Sequence, residues 1–319
     1  MIQIFYKADG QMAVFCARED FATLSRENVL WIDLVDPTGE EKRAAEEFLD
    51  CSLQARSKAE EIESSSRFVE TEKGIFANTN FIIPGPDDYS MEVVSFILVG
   101  NTLTTIREIP LKSFTDLQRR LQAFPKLFSS GYQVFLCLLE QRVDLDADMI
   151  EVMSKEISQL SHKISQGEEK IDEDILLEIN QMQENSMLVR ENIVDKQRVV
   201  NSILKTTKVP KSLIPRFNTL LKDIASLINH TNFNFERLEY LQDTVLGLVN
   251  LDQNKIMKVF TLISLLLMPP TLIASFFGMN MKLPILDDVS SDWNWIIVLG
   301  VMLVSVGTVF FIFKRKNFF

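Results

Sequence analysis

Hydrophobic and polar positions divide the chain into three stretches of different character. Over roughly the first 130 residues, β-branched runs are separated by turn chemistry, the pattern of a mixed α/β fold. WIDLVD at 31–36, GIFANTNFIIPGP at 74–86 and MEVVSFILVGNTLTTIRE at 91–108 read as strands, the last folding back at Gly100-Asn101. Pro37-Thr38-Gly39-Glu40-Glu41 predicts a turn leading into a charged helix.

From about residue 132 the apolar positions recur every three to four residues, with almost no Gly or Pro. Helices are expected over 132–166 and from about 172 to 205, joined by the acidic GEEKIDED at 167–174, which reads as a solvated helix tip. The pattern resumes after Pro210 and Pro215 and meets no further breaker until Pro269-Pro270. One helix of over ~60 residues is implied, far beyond the usual 8–20, and such a length calls for a bundle or coiled assembly.

The third stretch holds two uncharged runs, residues 259–277 and 295–313. Each covers roughly 28 Å at 1.5 Å per residue, close to the ~30 Å of a hydrocarbon core. Lys255 and Lys258 precede the first run, and Lys314, Arg315 and Lys316 follow the second. The segment between holds Lys282 against Asp287, Asp288 and Asp292. By the positive-inside rule both termini are cytoplasmic and the loop is external, with Trp293 and Trp295 as interfacial anchors. The expected organisation is a cytoplasmic α/β domain over 1–130 and a cytoplasmic helical hairpin over 131–209. A stalk continuous with the first spanning helix follows over 210–277, then an external loop over 278–294, a second spanning helix over 295–313 and a basic cytoplasmic tail over 314–319.

The first span carries four hydroxyl residues, Thr261, Ser264, Thr271 and Ser275. With Met268 they fall on an arc of about 80° at 100° per residue. Steps of three and four continue the same line down the stalk through Met257, Asn254, Asn250, Gly247 and Asp243. An ordinary coiled coil would put Leu or Val on this seam, but Leu241, Val245 and Leu248 are displaced to one side. A small-residue helix interface is one reading, since Ser and Thr also bond the carbonyl four residues back. A water-filled axial pore is the other, and it satisfies every polar group over about nine turns, Asp243 included. One chain with two spans cannot enclose a pore, so that reading requires several copies about a common axis.

Composition narrows the class. The 319 residues are 46% hydrophobic and 24% charged, a soluble-looking average that hides the C-terminal concentration of apolar residues. A net charge of −11 argues against nucleic acid as a partner, which needs a basic face. Cys16, Cys51 and Cys137 are scattered without CxxC spacing, as in reduced cytosolic thiols. The start, MIQIFYKADG, lacks the features of a cleaved signal peptide. There is no HExxH, CxxC or Gly-rich phosphate loop, so neither an enzyme nor an organic cofactor is expected. His162 and His230 are isolated and read as helix-surface or interface residues.

Directly after the first span stands Gly278-Met279-Asn280. This triplet at the outer end of the penultimate span, with two C-terminal spans and a basic tail, resembles the CorA family of magnesium channels. NKIMKVFTLISLLLMPPTLIASFFGMN at 254–280 looks like the family's pore helix throughout, and FKRKNFF resembles its basic-aromatic ending. WIDLVDPTGEEKR and the acidic EEIE at 60–63 resemble its proteobacterial branch.

The resemblance implies a funnel-shaped homopentamer in a bacterial-type inner membrane, with the stalk helices lining the pore. It implies that Gly278, Met279 and Asn280 form the selectivity filter, with Asn280 nearest the ion. The family's pore-facing positions match Asp243, Asn254, Met257, Met268, Thr271 and Asn280, and its hydrophobic gate residue matches Phe260. Magnesium is then both the transported ion and a regulatory ligand, with cobalt and nickel as further substrates. Two positions depart from the family. Phe277 stands where it usually has Tyr, and Met281-Lys282-Leu283-Pro284-Ile285 lacks its usual loop Glu, whose field Asp287, Asp288 and Asp292 would replace. In the family, divalent ions between cytoplasmic domains hold the pore closed, and the candidate carboxylates here are Asp87, Asp88, Glu92 and Asp223.

A zinc transporter of the same superfamily would share fold and motif, although a seam without thiol or imidazole favours a hard, oxygen-liking ion. A membrane-anchored helical scaffold, with the seam as dry packing, is the non-conducting alternative.

Overall fold

Seven strands form one sheet: β1 (Ile2–Ala8), β2 (Gln11–Phe15), β3 (Val29–Val35), β4 (Phe68–Glu70), β5 (Gly74–Pro84), β6 (Tyr89–Val99) and β7 (Thr102–Arg107). Their order is β2-β1-β3-β7-β6-β5-β4. Only β3 and β7 run parallel among these pairs. The β6–β7 hairpin turns at Gly100, whose φ of 58° is the left-handed geometry that glycine adopts without strain. β3 lies mid-sheet and is buried along nearly its whole length, as an apolar strand covered on both faces should be.

The computed structural model describes residues 1–8, 10–53, 67–85, 88–166, 173–279 and 294–315. The helices are α1 (Gly39–Leu49), α2 (Lys112–Ala123), α3 (Gly131–Gln166), α4 (Glu173–Lys205), α5 (Ile214–Phe277) and α6 (Asn294–Arg315). Two compact units are present, Met1–Gln242 and Asp243–Phe319.

In the first unit, helices cover both faces of the sheet. Thr38 starts α1 by accepting from the Glu41 N–H at 3.2 Å, while the Glu41 carboxylate accepts from the Thr38 N–H at 2.9 Å. α1 then buries Ala45, Phe48 and Leu49 in a cluster with Ile2, Ile4, Ile32, Leu34 and Ile97. The other face carries Phe5, Trp31, Phe81 and Phe96 against Phe114, Leu117 and Leu121 of α2 and Phe135, Leu136 and Leu139 of α3. Phe5 stacks on Trp31 with ring centroids 4.7 Å apart, and Phe96 meets Phe135 edge-on at 5.0 Å. At Gly131 the start of α3 touches the sheet so closely that a Cβ would stand 2.3 Å from the Leu103 nitrogen. Only glycine allows that approach.

Charges are buried within this layer. Asp33, in the middle of β3, takes hydrogen bonds from Thr105 at 2.7 Å and Arg107 Nη2 at 2.7 Å. Between β5, α3 and α4, Asp146 accepts from Arg142 Nε at 2.9 Å and pairs with Lys196 at 3.2 Å. Lys196 also donates to the Asn80 carbonyl at 2.9 Å and to Asn192. Asp195 pairs with Arg67 at 3.3 Å. Buried charges persist only with such partners.

α5 is one helix of 64 residues. Pro215 sits at its first turn, where a missing N–H costs nothing. Its first part buries Phe217, Leu220, Ile224, Leu238 and Leu241. In the second unit it continues through Pro269-Pro270 to Phe277. Neither proline has an N–H, so the carbonyls of Leu265 and Leu266 lose their helical donors. α5 and α6 each contain a run long and apolar enough to cross a membrane.

Candidate functional site

The seam expected from spacing lies on the second-unit part of α5. In the single chain Asp243, Gly247, Asn250, Asn254, Met257, Phe260, Thr261, Ser264, Met268, Thr271 and Ser275 are all exposed. The displaced apolar neighbours Leu241 and Val245 are buried. Beyond Val245 no side chain of the helix is buried, and Leu251, Ile256, Val259, Leu267 and Leu272 are exposed along with the polar line, which is set apart by its residue types. Met257, Phe260 and Met268 expose 57%, 64% and 64% of their surface there, a high value for side chains of this size.

Two seam hydroxyls have a defined orientation. Thr261 Oγ1 donates to the Met257 carbonyl at 2.8 Å, and Thr271 Oγ1 donates to the Leu267 carbonyl at 2.7 Å. Each proton is committed to the helix, so each oxygen turns outward only lone pairs. An acceptor of that kind suits a cation or the protons of its hydration shell. Gly247 adds a contour of its own. A Cβ there would meet nothing within 4 Å, so nothing within the chain demands glycine at a helix position it disfavours by ~1 kcal/mol relative to Ala. Beside the seam, Lys255 holds Asp252 at 2.8 Å.

At the end of α5 the Gly278 N–H donates to the Ala274 carbonyl at 2.9 Å, and the Met279 N–H reaches the Phe276 carbonyl at 3.4 Å. A Cβ on Gly278 would stand 3.0 Å from the Ala274 oxygen, tighter than ordinary contact. Phe277 packs edge-on against Phe276 at 5.6 Å, so the ring in the place of the family's Tyr has an aromatic neighbour. Met279 is exposed. Asn280, Asp287, Asp288 and Asp292 of the loop expected to be external, Trp293 and the acidic 60–63 stretch lie outside the described residues.

The three regulatory candidates among the described residues occupy unlike environments. Asp87 is outside the described residues. Asp88 is exposed beside the β5–β6 turn, where its carbonyl accepts from Gly85 at 3.1 Å. Glu92 is buried on β6, and its carboxylate accepts from the Glu108 N–H at 2.7 Å. Asp223 is exposed on α5. Burial, and then the charges of Asp148 and Asp223, hold the Asp144 carboxyl above its usual range. Asp144 and Asp148 on α3 thus belong with Asp223, a grouping whose sequence signal is the i, i+4 acid pair in RVDLDAD. Among the described residues no three His, Cys, Asp or Glu side chains gather closely enough to hold a metal ion.

Residues 26–315 match the family model described as CorA-like Mg2+ transporter protein. The magnesium transport protein CorA of Wolinella succinogenes is 32% identical over 326 residues, covering 99% of each chain. That of Haemophilus influenzae is 31% identical over 291 residues, covering 90% of this chain and 91% of the relative. The solved CorA magnesium transporter of Methanocaldococcus jannaschii superposes with a TM-score of 0.82 at 18% identity, covering 100% and 99% of the two chains. The cytoplasmic domain of ZntB from Vibrio parahaemolyticus gives a TM-score of 0.56 at 14% identity over 79% of this chain and 98% of that domain. At those identities the two structures establish fold alone.

Proposed function

The chain belongs to the CorA-like Mg2+ transporter family, and on that premise we propose that it carries magnesium passively through a pore on the axis of a homopentamer. The family consists of transporters rather than enzymes. The observation that carries the reading is the seam of α5, polar, small or methionine side chains at steps of three and four from Asp243 to Ser275, exposed in the single chain with the apolar residues around it. Several copies around one axis would turn those side chains toward a shared aqueous space.

Magnesium dehydrates reluctantly and prefers oxygen at about 2.0–2.1 Å. Amide and hydroxyl oxygens at Asn250, Asn254, Thr261 and Thr271 suit the hydrated ion, holding it through its waters without stripping them. A ring of carboxylates would hold it too tightly to release. The reading assigns the entrance filter to Gly278, Met279 and Asn280, with Asp287, Asp288 and Asp292 concentrating cations outside it. Cobalt and nickel, as similarly hydrated divalent ions, pass by the same route. Met257 and Phe260 form the apolar constriction that closes it, and internal divalent metal on the carboxylates around Asp88 and Asp223 favours the closed form. Glu92 contributes less to sensing, because its carboxylate already serves Glu108. The protein sits in a bacterial-type inner membrane with both termini in the cytoplasm, a placement supported by Lys255 and Lys258 before the first span and Lys314 and Arg315 after the second.

The test is magnesium uptake into liposomes holding purified protein, followed with an internal indicator and compared with Asn280→Ala. Uptake that the substitution abolishes supports both transport and the filter. Zinc flux without magnesium flux would move the protein to a zinc-carrying role, and folded, oligomeric protein silent to every divalent ion would make the seam a packing surface.

A further inference from the structure

β2 closes one side of the sheet and β4 the other. The two edges differ. β4 is three residues long and ends on Glu70, a short and charged edge of the kind that resists added strands. β2 reads QMAVF, with no Pro and no charge. The direction of its backbone groups follows from its neighbours. The Met1 ammonium donates to the Val35 carbonyl at 2.8 Å, and the Val35 N–H donates back to the Met1 carbonyl at 2.9 Å. Direction alternates along an antiparallel ladder, so Gln3 and Phe5 also face β3, while Ile4, Tyr6 and Ala8 face β2. Their register partners Phe15, Ala13 and Gln11 face back toward β1. Met12 and Val14 therefore turn both N–H and C=O away from the sheet. No strand among the described residues pairs with them.

Exposed apolar and basic side chains stand beside this edge. α2 and the 3-10 turn Pro125–Leu127 pack on β2. Lys7, which faces Met12 in the register, donates to the Phe128 carbonyl at 2.6 Å and ties that segment to the hairpin. Phe124 and Leu127 are 58% and 53% exposed. Arg120 comes one turn before Phe124, Lys126 comes directly before Leu127, and both are exposed. From Leu117 to Leu139 the chain has no Asp or Glu, although the molecule carries a net charge of −11. Asp116 on α2 pairs with Arg119 at 3.9 Å, and Glu19 beyond β2 pairs with Arg18 at 3.0 Å.

Outward N–H and C=O groups on an edge strand accept another extended backbone, and the local positive charge selects carboxylates. An anionic lipid headgroup would answer the charge and leave Met12 and Val14 unpaired. The β2 edge of a second copy would set the same basic surround against itself. We propose that the β2 edge binds an extended acidic peptide segment of a partner protein. Its backbone pairs with Met12 and Val14, its apolar side chains lie against Phe124 and Leu127, and its carboxylates stand beside Arg120 and Lys126. None of the residues assigned to ion passage takes part.

The experiment is fluorescence anisotropy of a labelled peptide of about eight residues, alternating Val or Thr with Asp or Glu, a length that covers β2 with a margin. It is titrated with the full-length protein in phosphatidylcholine nanodiscs, with empty nanodiscs subtracted. Saturable binding is expected. The same peptide with its internal amides N-methylated should bind at least about tenfold more weakly, as loss of two backbone hydrogen bonds implies. Val14→Pro removes an N–H that the sheet does not use, which an edge strand tolerates, and should weaken the acidic peptide by a similar factor. Arg120→Glu with Lys126→Glu should weaken it at least about threefold at low salt and less at high salt. If Val14→Pro fails to fold, the N-methylated peptide against wild type decides the same question. No saturable binding, equal binding of the N-methylated peptide, or binding unchanged by the double charge reversal would overturn the proposal.

Discussion

Lys196 holds its ammonium 3.2 Å from the carboxylate of Asp146, and neither side chain has any exposure to solvent. The pair joins α4 to α3 beneath β5, with the Phe81 ring 5.3 Å from the ammonium. Removing one partner would leave an uncompensated buried charge. Asp146→Asn is therefore expected to destabilise the protein by about 3–5 kcal/mol, and an apolar replacement of the whole buried set, Lys196→Met and Arg142→Met with Asp146→Leu, to recover most of it. Denaturant unfolding of both variants measures this, and equal losses would show that the carboxylate serves packing rather than charge.

The same lysine gives a pH signature. Burial, opposed by Asp146 and Asp195 and reinforced by Arg142, pushes the Lys196 ammonium down to about 8. Below about 8 both folded and unfolded states keep the proton. Between about 8 and the ordinary lysine range only the unfolded state keeps it, so stability rises with pH across that window. Wild type should gain on the order of 3 kcal/mol relative to Lys196→Met between pH 8 and 10.5. Paired melts of the two proteins at several pH values read this directly, and parallel curves would contradict it.

Gly247 faces open space in the single chain. Gly247→Ala should stabilise α5 by roughly 0.5–1 kcal/mol, the usual gain for replacing a helical glycine. If the seam lines a narrow passage, the same methyl lowers magnesium flux while thermal stability rises. A rise in stability with unchanged flux would put position 247 outside the passage.

Met257 and Phe260 are exposed on α5 one turn apart. Replacing both with Ala should leave the folded chain intact, since neither packs within it, and should increase basal magnesium leak into liposomes. Leak equal to wild type would remove these side chains from the constriction.

Much of the fold was legible because periodicity reports burial. Residues 31–36, 74–86 and 91–108 correspond to β3, β5 and the β6–β7 hairpin, and the unbroken pattern after Pro215 corresponds to α5. The β1–β2 hairpin was missed although Asp9-Gly10 is a hairpin signal, and Gly10 does take a φ of 79°. The buried ions were missed for a different reason. Asp146, Asp195 and Lys196 stand in helical segments where charge normally marks the solvated face, and only tertiary packing over β5 reverses that. Asp33 was visible inside WIDLVD, but its partner Arg107 is supplied by the parallel pairing of β3 with β7, which no local pattern encodes. The seam is drawn from residue types that contradict a coiled coil at nearly every step, and its role as a pore lining is the proposal that the flux measurements test.

The prolines in α5 have a mechanical consequence. A helix resists bending because consecutive turns are tied together by several parallel bonds. At Pro269-Pro270 two adjacent ties are missing, directly after Met268 and within the apolar run. The first span is therefore a jointed rod. Its most compliant turn lies mid-length, and flexural motion within the span concentrates there, leaving the segments on either side comparatively straight.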